Sequence, residues 1–276
     1  MAIRNPKSKI KNPKSKTPLI VVVNDDGIQS PGIRALARAM ADLGEVLVVA
    51  PREQQTSMGR AFVGAGVAEV ADFVVGGKRL RAFAVPTSPA LAVRYALLVH
   101  AEREPALVVS GINYGENIGN GVTISGTVGA GLEAASMGAR VLTVSQVVPV
   151  SYHFTHNDKV DFSVAAQFAK RWARHILERG MPRGADIVNL NVPAGARTTT
   201  PWRFTRVSRM NYYRSIITTT PQGKSLDSYE LFLDPDSPEP DSDVRAVMID
   251  HVVSVSCLSY DLTARVAPTE FARWAK

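Results

Sequence analysis

Five short apolar runs punctuate the chain. They are LIVVV (residues 19–23), EVLVVAP (45–51), ALVVSGIN (106–113), RVLTVS (140–145) and DIVNLNVP (186–193). Each is rich in β-branched residues and almost continuously apolar, the pattern of a strand buried on both faces. Segments of helical period lie between them. In PGIRALARAMADLG (31–44), Ile33, Leu36, Ala37 and Met40 share one face and Gly44 supplies the stop. Residues 89–100, 127–137 and 161–179 predict three more helices, and residues 67–85 predict short strands joined by a Gly76-Gly77 turn. Strands alternating with helices imply an α/β fold: a Rossmann-like, mostly parallel sheet with helices on both faces.

The texture changes after residue 193. RSIITTTPQGKSLDSYELFL (214–233) predicts a long hairpin around residues 221–224. An acidic, proline-rich loop follows at 234–243, then a late strand, AVMIDHVVSVSCL (246–258), and a short terminal helix over 268–276. The chain thus divides into a basic tail (1–18), an α/β catalytic domain (19–193) and a C-terminal part (194–276). The last completes the domain and presents an appendage for oligomer contacts or substrate covering.

Composition sharpens this picture in three ways. Hydrophobic residues make up 45% of 276, enough for a large core. Cys257 is the single cysteine, which excludes an intrachain disulfide and a cysteine metal cluster. The net charge of +7 is concentrated in the tail, where Arg4, Lys7, Lys9, Lys11, Lys14 and Lys16 stand without an acid. That segment repeats NPKSK and reads as a disordered, solvated tail, the other reading being contact with nucleic acid or an anionic surface. No apolar run approaches the roughly 18 residues of a membrane span. No apolar signal-peptide region follows the tail charges, and a cytoplasmic location is expected.

The ends of the first three long runs carry the chemistry. In such sheets ligands bind beyond the carboxyl ends of the strands. The first run ends in Asn24, Asp25, Asp26 and Gly27, the second in REQQTSMG (52–59), the third in Ser110-Gly-Ile-Asn113. One aspartate could cap the following helix or make an Asx turn with Gly27. Neither role accounts for two adjacent acids, whereas a hard divalent cation offsets their repulsion and prefers oxygen ligands. Asn113 and the hydroxyls of Thr56 and Ser57 complete an oxygen-rich set suited to Mg2+, Mn2+ or Ca2+. The glycine-rich stretch from 111 to 131 fits neither a Walker A loop nor a dinucleotide fingerprint. Within it, Ser125, Gly126 and Thr127 at a helix start offer an anion site, or simple N-capping. Glu133, inside that helix, reads as structural. His153 and His156 share a helix face only if their segment is helical, and no Gly-x-Ser-x-Gly elbow marks a nucleophile.

VNDDGIQSPGI (23–33), VSGINYGEN (109–117) and SGTVGAGLEA (125–134) together resemble the stationary-phase survival protein SurE family, with NLNVP, WRFTRVSR and DSDVRAVMIDHVVSVSCL similar to its later blocks. The resemblance covers residues 18–262 and implies a metal-dependent phosphatase of nucleoside 5′- or 3′-monophosphates. It implies one divalent cation per subunit, Mg2+ or Mn2+ (or Ca2+ in a crystal), held by Asp25, Asp26, Thr56 and Asn113, with Ser57 the alternative hydroxyl. One of the aspartates would also handle a proton. Asn117, Ser125, Gly126 and Thr127 would hold the phosphate. A homodimer or homotetramer is implied, with the hairpin and late strand exchanged between subunits. The chain departs from the family pattern at Arg52, Arg60 and Leu91, which bears on the leaving group. The rival readings are a hydrolase of another small phosphate ester or short polyphosphate, and a non-enzymatic nucleic-acid binder acting through the tail.

Overall fold

The computed structural model describes residues 17–153 and 158–275. Nearly all of the basic tail, and His156, lie outside the described residues. The chain runs through β1 (Leu19–Val23), α1 (Pro31–Met40), β2 (Glu45–Pro51), β3 (Glu69–Val70), β4 (Val74–Val75), β5 (Lys78–Arg79), β6 (Arg81–Val85) and α2 (Pro89–Arg94). It continues through β7 (Leu107–Tyr114), α3 (Gly126–Ser136), β8 (Val141–Gln146), α4 (Ser163–Arg179) and β9 (Ile187–Val192). The last elements are β10 (Trp202–Thr205), β11 (Tyr213–Thr220), β12 (Gly223–Leu231), β13 (Val253–Leu258) and α5 (Pro268–Trp274).

Nine strands form one sheet in the order β10-β13-β9-β8-β7-β1-β2-β6-β3. The six strands from β9 to β6 are mutually parallel; β3 pairs antiparallel at one end and β13 at the other. The fold is the expected Rossmann-like α/β arrangement. Because side chains alternate along a strand, β1 feeds two cores. Ile20 and Val22 pack with Ile33, Leu36 and Met40 of α1 and Phe168 and Ile176 of α4. Leu19, Val21 and Val23 pack with Val93 of α2 and Ala130 and Ala134 of α3 on the other face.

The strand order places the site. From β1 the chain moves outward through β2 to β6, then returns to lay β7 against the other side of β1. Strand order therefore reverses between β1 and β7, and a crevice opens at their carboxyl ends. Val23 pairs with Ser110, so the residues following each strand emerge side by side. Gly32 lets α1 approach that edge: a Cβ there would sit 2.1 Å from the Ile112 carbonyl oxygen.

Two features differ from expectation. The late strand begins only at Val253, because Arg245–Ile249 forms a π-helical turn. Helical spacing brings Val244 and Val247 together onto Ile118 and Tyr212 in a third, small core. Residues 95–100, expected to continue α2, form a second π-helical turn. The hairpin exists as β11 and β12 and pairs only with itself, whereas β10 and β13 join the main sheet.

Candidate active site

The turn after β1 assigns its ordinary structural duties to residues other than the two aspartates. Asn24 Nδ2 donates to the Gly27 carbonyl (3.0 Å), which closes the turn. Ser30 Oγ accepts from the Gly32 amide (3.2 Å) and caps α1. Asp25 and Asp26 are nonetheless 3% and 1% exposed. Thr127 Oγ1 donates to Asp25 Oδ1 (2.5 Å). Asp26 accepts from the Tyr114 amide (3.3 Å) and from Gln54 Nε2 (3.4 Å). Burial pushes the Asp25 carboxyl up to about 6, against the pull of the Thr127 hydrogen bond. Burial, and then the neighbouring Asp25 charge, raises Asp26 well above the carboxylate range.

The loop after β2 is pinned over this pair. The Ile28 amide donates to the Pro51 carbonyl (2.9 Å) and the Gln55 amide to the Asp25 carbonyl (2.7 Å). Thr56 and Ser57 follow directly, Ser57 in the left-handed region at φ 63°. On the other side, Asn113 Nδ2 donates to the Gly115 carbonyl (2.8 Å), which leaves the amide oxygen as the atom to face a cation. Asp25, Thr56, Ser57, Asn113, Asn117 and Ser125 all line one cavity of about 200 Å³. A larger open groove of about 490 Å³ between α1 and α4 holds no comparable polar set, its Asp42 being paired with Lys170 at 2.6 Å.

The remaining expected residues divide into two groups. Ser125 lines the cavity while its Oγ caps α3 by accepting from the Val128 amide (3.1 Å). Asn117 is held from behind: its amide donates to Asn191 Oδ1 (2.7 Å), and its carbonyl accepts from Nδ2 of Asn189 and of Asn191 (3.1 Å each). Its own Nδ2 donates to Ser145 Oγ (2.8 Å), which leaves a second N–H for a ligand. Gly126 and Thr127 serve Asp25 instead of lining the cavity. A Cβ at Gly126 would meet Asp25 Oδ2 at 2.6 Å, so only glycine lets the carboxylate lie there.

The lining also includes three residues that escaped the sequence reading, Glu116, Tyr213 and Tyr229, and one, His153, that it singled out without a role. Glu116, His153, Tyr213 and Tyr229 enter the cavity, and His153 Nδ1 lies 2.8 Å from Tyr229 Oη. Burial holds the His153 imidazole below its usual range. These contacts join the β7 loop to the hairpin across long stretches of chain, and no local spacing announces them. The three departures from the family pattern lie outside the cavity. Arg52 pairs with Glu69 at the surface (2.5 Å). Arg60 and Arg94 grip the two oxygens of buried Glu133 at 2.8 and 2.6 Å, the structural role expected of that acid.

The donor set suits a hard cation. Asp25 faces the Asn113 amide and the hydroxyls of Thr56 and Ser57 across the cavity, Asp26 lies buried beside it outside the lining, and no Lys or Arg is among the lining residues. Among the described residues no three His, Cys, Asp or Glu side chains gather to hold a metal unaided, so neutral oxygens must complete the shell.

Fold and site together define a Rossmann-like α/β protein with an oxygen-donor site at the switch point of its sheet. The sequence profile of the family described as survival protein SurE matches residues 20–214. The chain is 37% identical over 253 residues to "5'-nucleotidase SurE" of Thermococcus kodakarensis, covering 90% of this chain and 94% of that one. It is 39% identical over 253 residues to the protein of the same name from Methanothrix thermoacetophila, with the same coverage. The crystal structure of the SurE protein from Aquifex aeolicus superimposes with a TM-score of 0.71 at 26% identity, covering 94% of this chain and all of that one. This chain belongs to the SurE family.

The buried pair sets a pH signature. A carboxyl whose pKa rises on folding stabilises the fold below its unfolded value and loses that contribution as pH climbs through the folded value. For Asp25, raised from 3.8 to about 6, the loss is on the order of 3 kcal/mol. That loss falls between about pH 4 and pH 6, so metal-free protein should melt several degrees higher at pH 4.5 than at pH 7. Added Mn2+ should reverse the order by stabilising only the ionised pair, as calorimetry would record. Asp25→Asn should flatten both effects.

Proposed function

We propose that this chain is a metal-dependent phosphatase that hydrolyses nucleoside monophosphates to nucleoside and phosphate. The convergence of Asp25, Thr56, Asn113, Asn117 and Ser125 on one cavity at the sheet's switch point carries the reading. The names of the SurE relatives support it. Asp25, Asp26, Asn113 and the Thr56 hydroxyl, or that of Ser57, would hold one Mg2+ or Mn2+. When bound, such a cation supplies a Lewis acid for a phosphoryl oxygen and a water of lowered pKa.

The chain's own residues do the rest. Thr127 fixes one oxygen of Asp25, so the carboxylate keeps its orientation at the cavity wall. One of the two aspartates would take the proton of the attacking water. Asn117, immobilised by Asn189, Asn191 and Ser145, turns its second amide N–H toward a phosphoryl oxygen. Ser125 and the first turn of α3 add a hydroxyl and the positive end of the helix dipole where charge develops in the transition state. Gln54 ties the Asp26 carboxylate to the His153 carbonyl (3.4 and 2.6 Å) and so holds the cavity wall together.

The chain also assembles as a homodimer or homotetramer in this reading. Exposed Ile216, Ile217 and Leu226 on the hairpin, and Phe271 and Trp274 on α5, provide the apolar surface. No helix among the described residues is long and apolar enough to cross a membrane.

Asp25→Asn should lower Mn2+-dependent phosphate release from 5′-AMP by at least about 1,000-fold, the effect of losing several kcal/mol in the transition state. Thr56→Ala should raise the Mn2+ concentration for half-maximal rate by about tenfold or more and Ser57→Ala by much less; the reverse order would make Ser57 the ligand. Light scattering should give a mass two or four times 29.8 kDa for the intact chain, reduced when residues 211–235 are removed.

A further inference from the structure

Arg60 lies outside the cavity, and the proposed reaction gives it no part. It follows the hydroxyl-bearing pair Thr56 and Ser57 closely along the chain. Its guanidinium crosses to α3, where Nε lies 2.8 Å from Glu133 Oε2 and Nη2 donates to Ser136 Oγ at 2.7 Å. Glu133 is wholly buried and takes Arg94 Nε on its other oxygen at 2.6 Å. The loop is thus pinned on both sides of the pair. Before it, the Gln55 amide donates to the Asp25 carbonyl (2.7 Å); after it, the Gly59 amide donates to the Ile124 carbonyl (3.0 Å). Arg60 adds a charge-assisted contact to a carboxylate withdrawn from water, stronger than a neutral hydrogen bond. Between the pins Ser57 holds φ 63°, a left-handed conformation that a residue with a Cβ keeps only where its surroundings impose it.

Helix α3 is the common reference for both halves of the site. Its first turn orients Asp25 through Thr127, and its last turn holds Arg60 through Glu133 and Ser136. One helix therefore sets the spacing between a carboxylate and the hydroxyls. We infer that Arg60, through its pairing with Glu133, is a positioning residue: it holds the loop after β2 so that the Thr56 or Ser57 hydroxyl meets the cation. The inference rests on the metal-dependent reading and adds to it a residue that touches neither cation nor substrate. A small hard cation such as Mg2+ demands near-ideal ligand geometry, so a hydroxyl that drifts when the loop loosens is lost from the shell. Losing a group that orients a metal ligand typically costs about 10–100-fold in affinity. A cluster serving stability alone would lower the melting temperature without singling out the hydroxyls.

The test is a double-mutant cycle on Mn2+ affinity, read from the free-ion signal in electron paramagnetic resonance. Arg60→Ala should weaken Mn2+ binding at least about fivefold in the otherwise unaltered chain. In the Thr56→Ala/Ser57→Ala background, which has no hydroxyl left to position, the same change should weaken it by less than about twofold. Arg94→Ala takes the other guanidinium from Glu133; it should lower the melting temperature and leave Mn2+ affinity within about twofold. Equal losses in the two backgrounds, a loss in Arg94→Ala as large as in Arg60→Ala, or no loss in Arg60→Ala overturns the inference and leaves the metal site standing. If Arg60→Ala does not fold, Arg60→Gln replaces it: the amide keeps a hydrogen-bonding side chain and gives up the charge. It should cost at least about threefold in the unaltered background, judged by the same comparisons. An intact chain that binds no Mn2+ overturns this inference and the metal-dependent reading together.

Discussion

Two carboxylates, adjacent in sequence and almost wholly withdrawn from water, repel each other at the end of the central strand. Folding alone gives no reason to keep such a pair, since burial and mutual charge both oppose ionisation. The surroundings are nonetheless built to hold them. Gly126 is trimmed to admit Asp25, Thr127 reaches down from α3 to orient it, and the β7 backbone donates to Asp26. Asn24 and Ser30 perform the turn and cap that the aspartates would otherwise make. The cost of burying the acids is stored in the metal-free protein and released when a cation arrives, so affinity and instability are two faces of one arrangement.

The glycines around the site share this logic. Those at 32, 126 and 129 lie where another part of the chain passes too close for a Cβ; at Gly129 the Gly59 carbonyl oxygen would be 1.9 Å away. Gly129 lets the loop after β2 lie flat on α3, and the Arg60–Glu133–Arg94 cluster fastens it there. The hydroxyl-bearing loop is thereby presented to the aspartates by packing rather than by its own rigidity. The glycine-rich stretch, which on sequence suggests an anion cradle, is equally a set of close-approach points.

Five of the six parallel strands were legible because a strand buried on both faces leaves an unbroken apolar run, and runs such as LIVVV and ALVVSGIN have few alternatives, whereas β6 read only as one of several short alternating strands. The three site loops were legible because each such run stops at oxygen-bearing residues. The strand order was not, since pairing of β7 with β1 leaves no local trace; it alone makes three loops into one crevice. Glu116, Tyr213 and Tyr229 were hidden, and the place of His153 was not legible, for a related reason: their contacts join segments 76 to 97 residues apart. The π-helical turn at Arg245–Ile249 was masked by β-branched residues that read as strand until Ile118 and Tyr212 gave Val244 and Val247 a core to bury against. Thr127 showed a hydroxyl at a helix start, which is the same pattern whether the partner is a phosphate or a carboxylate.

The most direct measurement is the anomalous scattering of manganese in crystals grown at neutral pH with Mn2+. The account predicts one strong site per chain, in direct coordination with Asp25, Asp26 and the Asn113 amide oxygen at the carboxyl end of β1. An empty crevice, with the carboxylates still on Thr127, Tyr114 and Gln54, would contradict it.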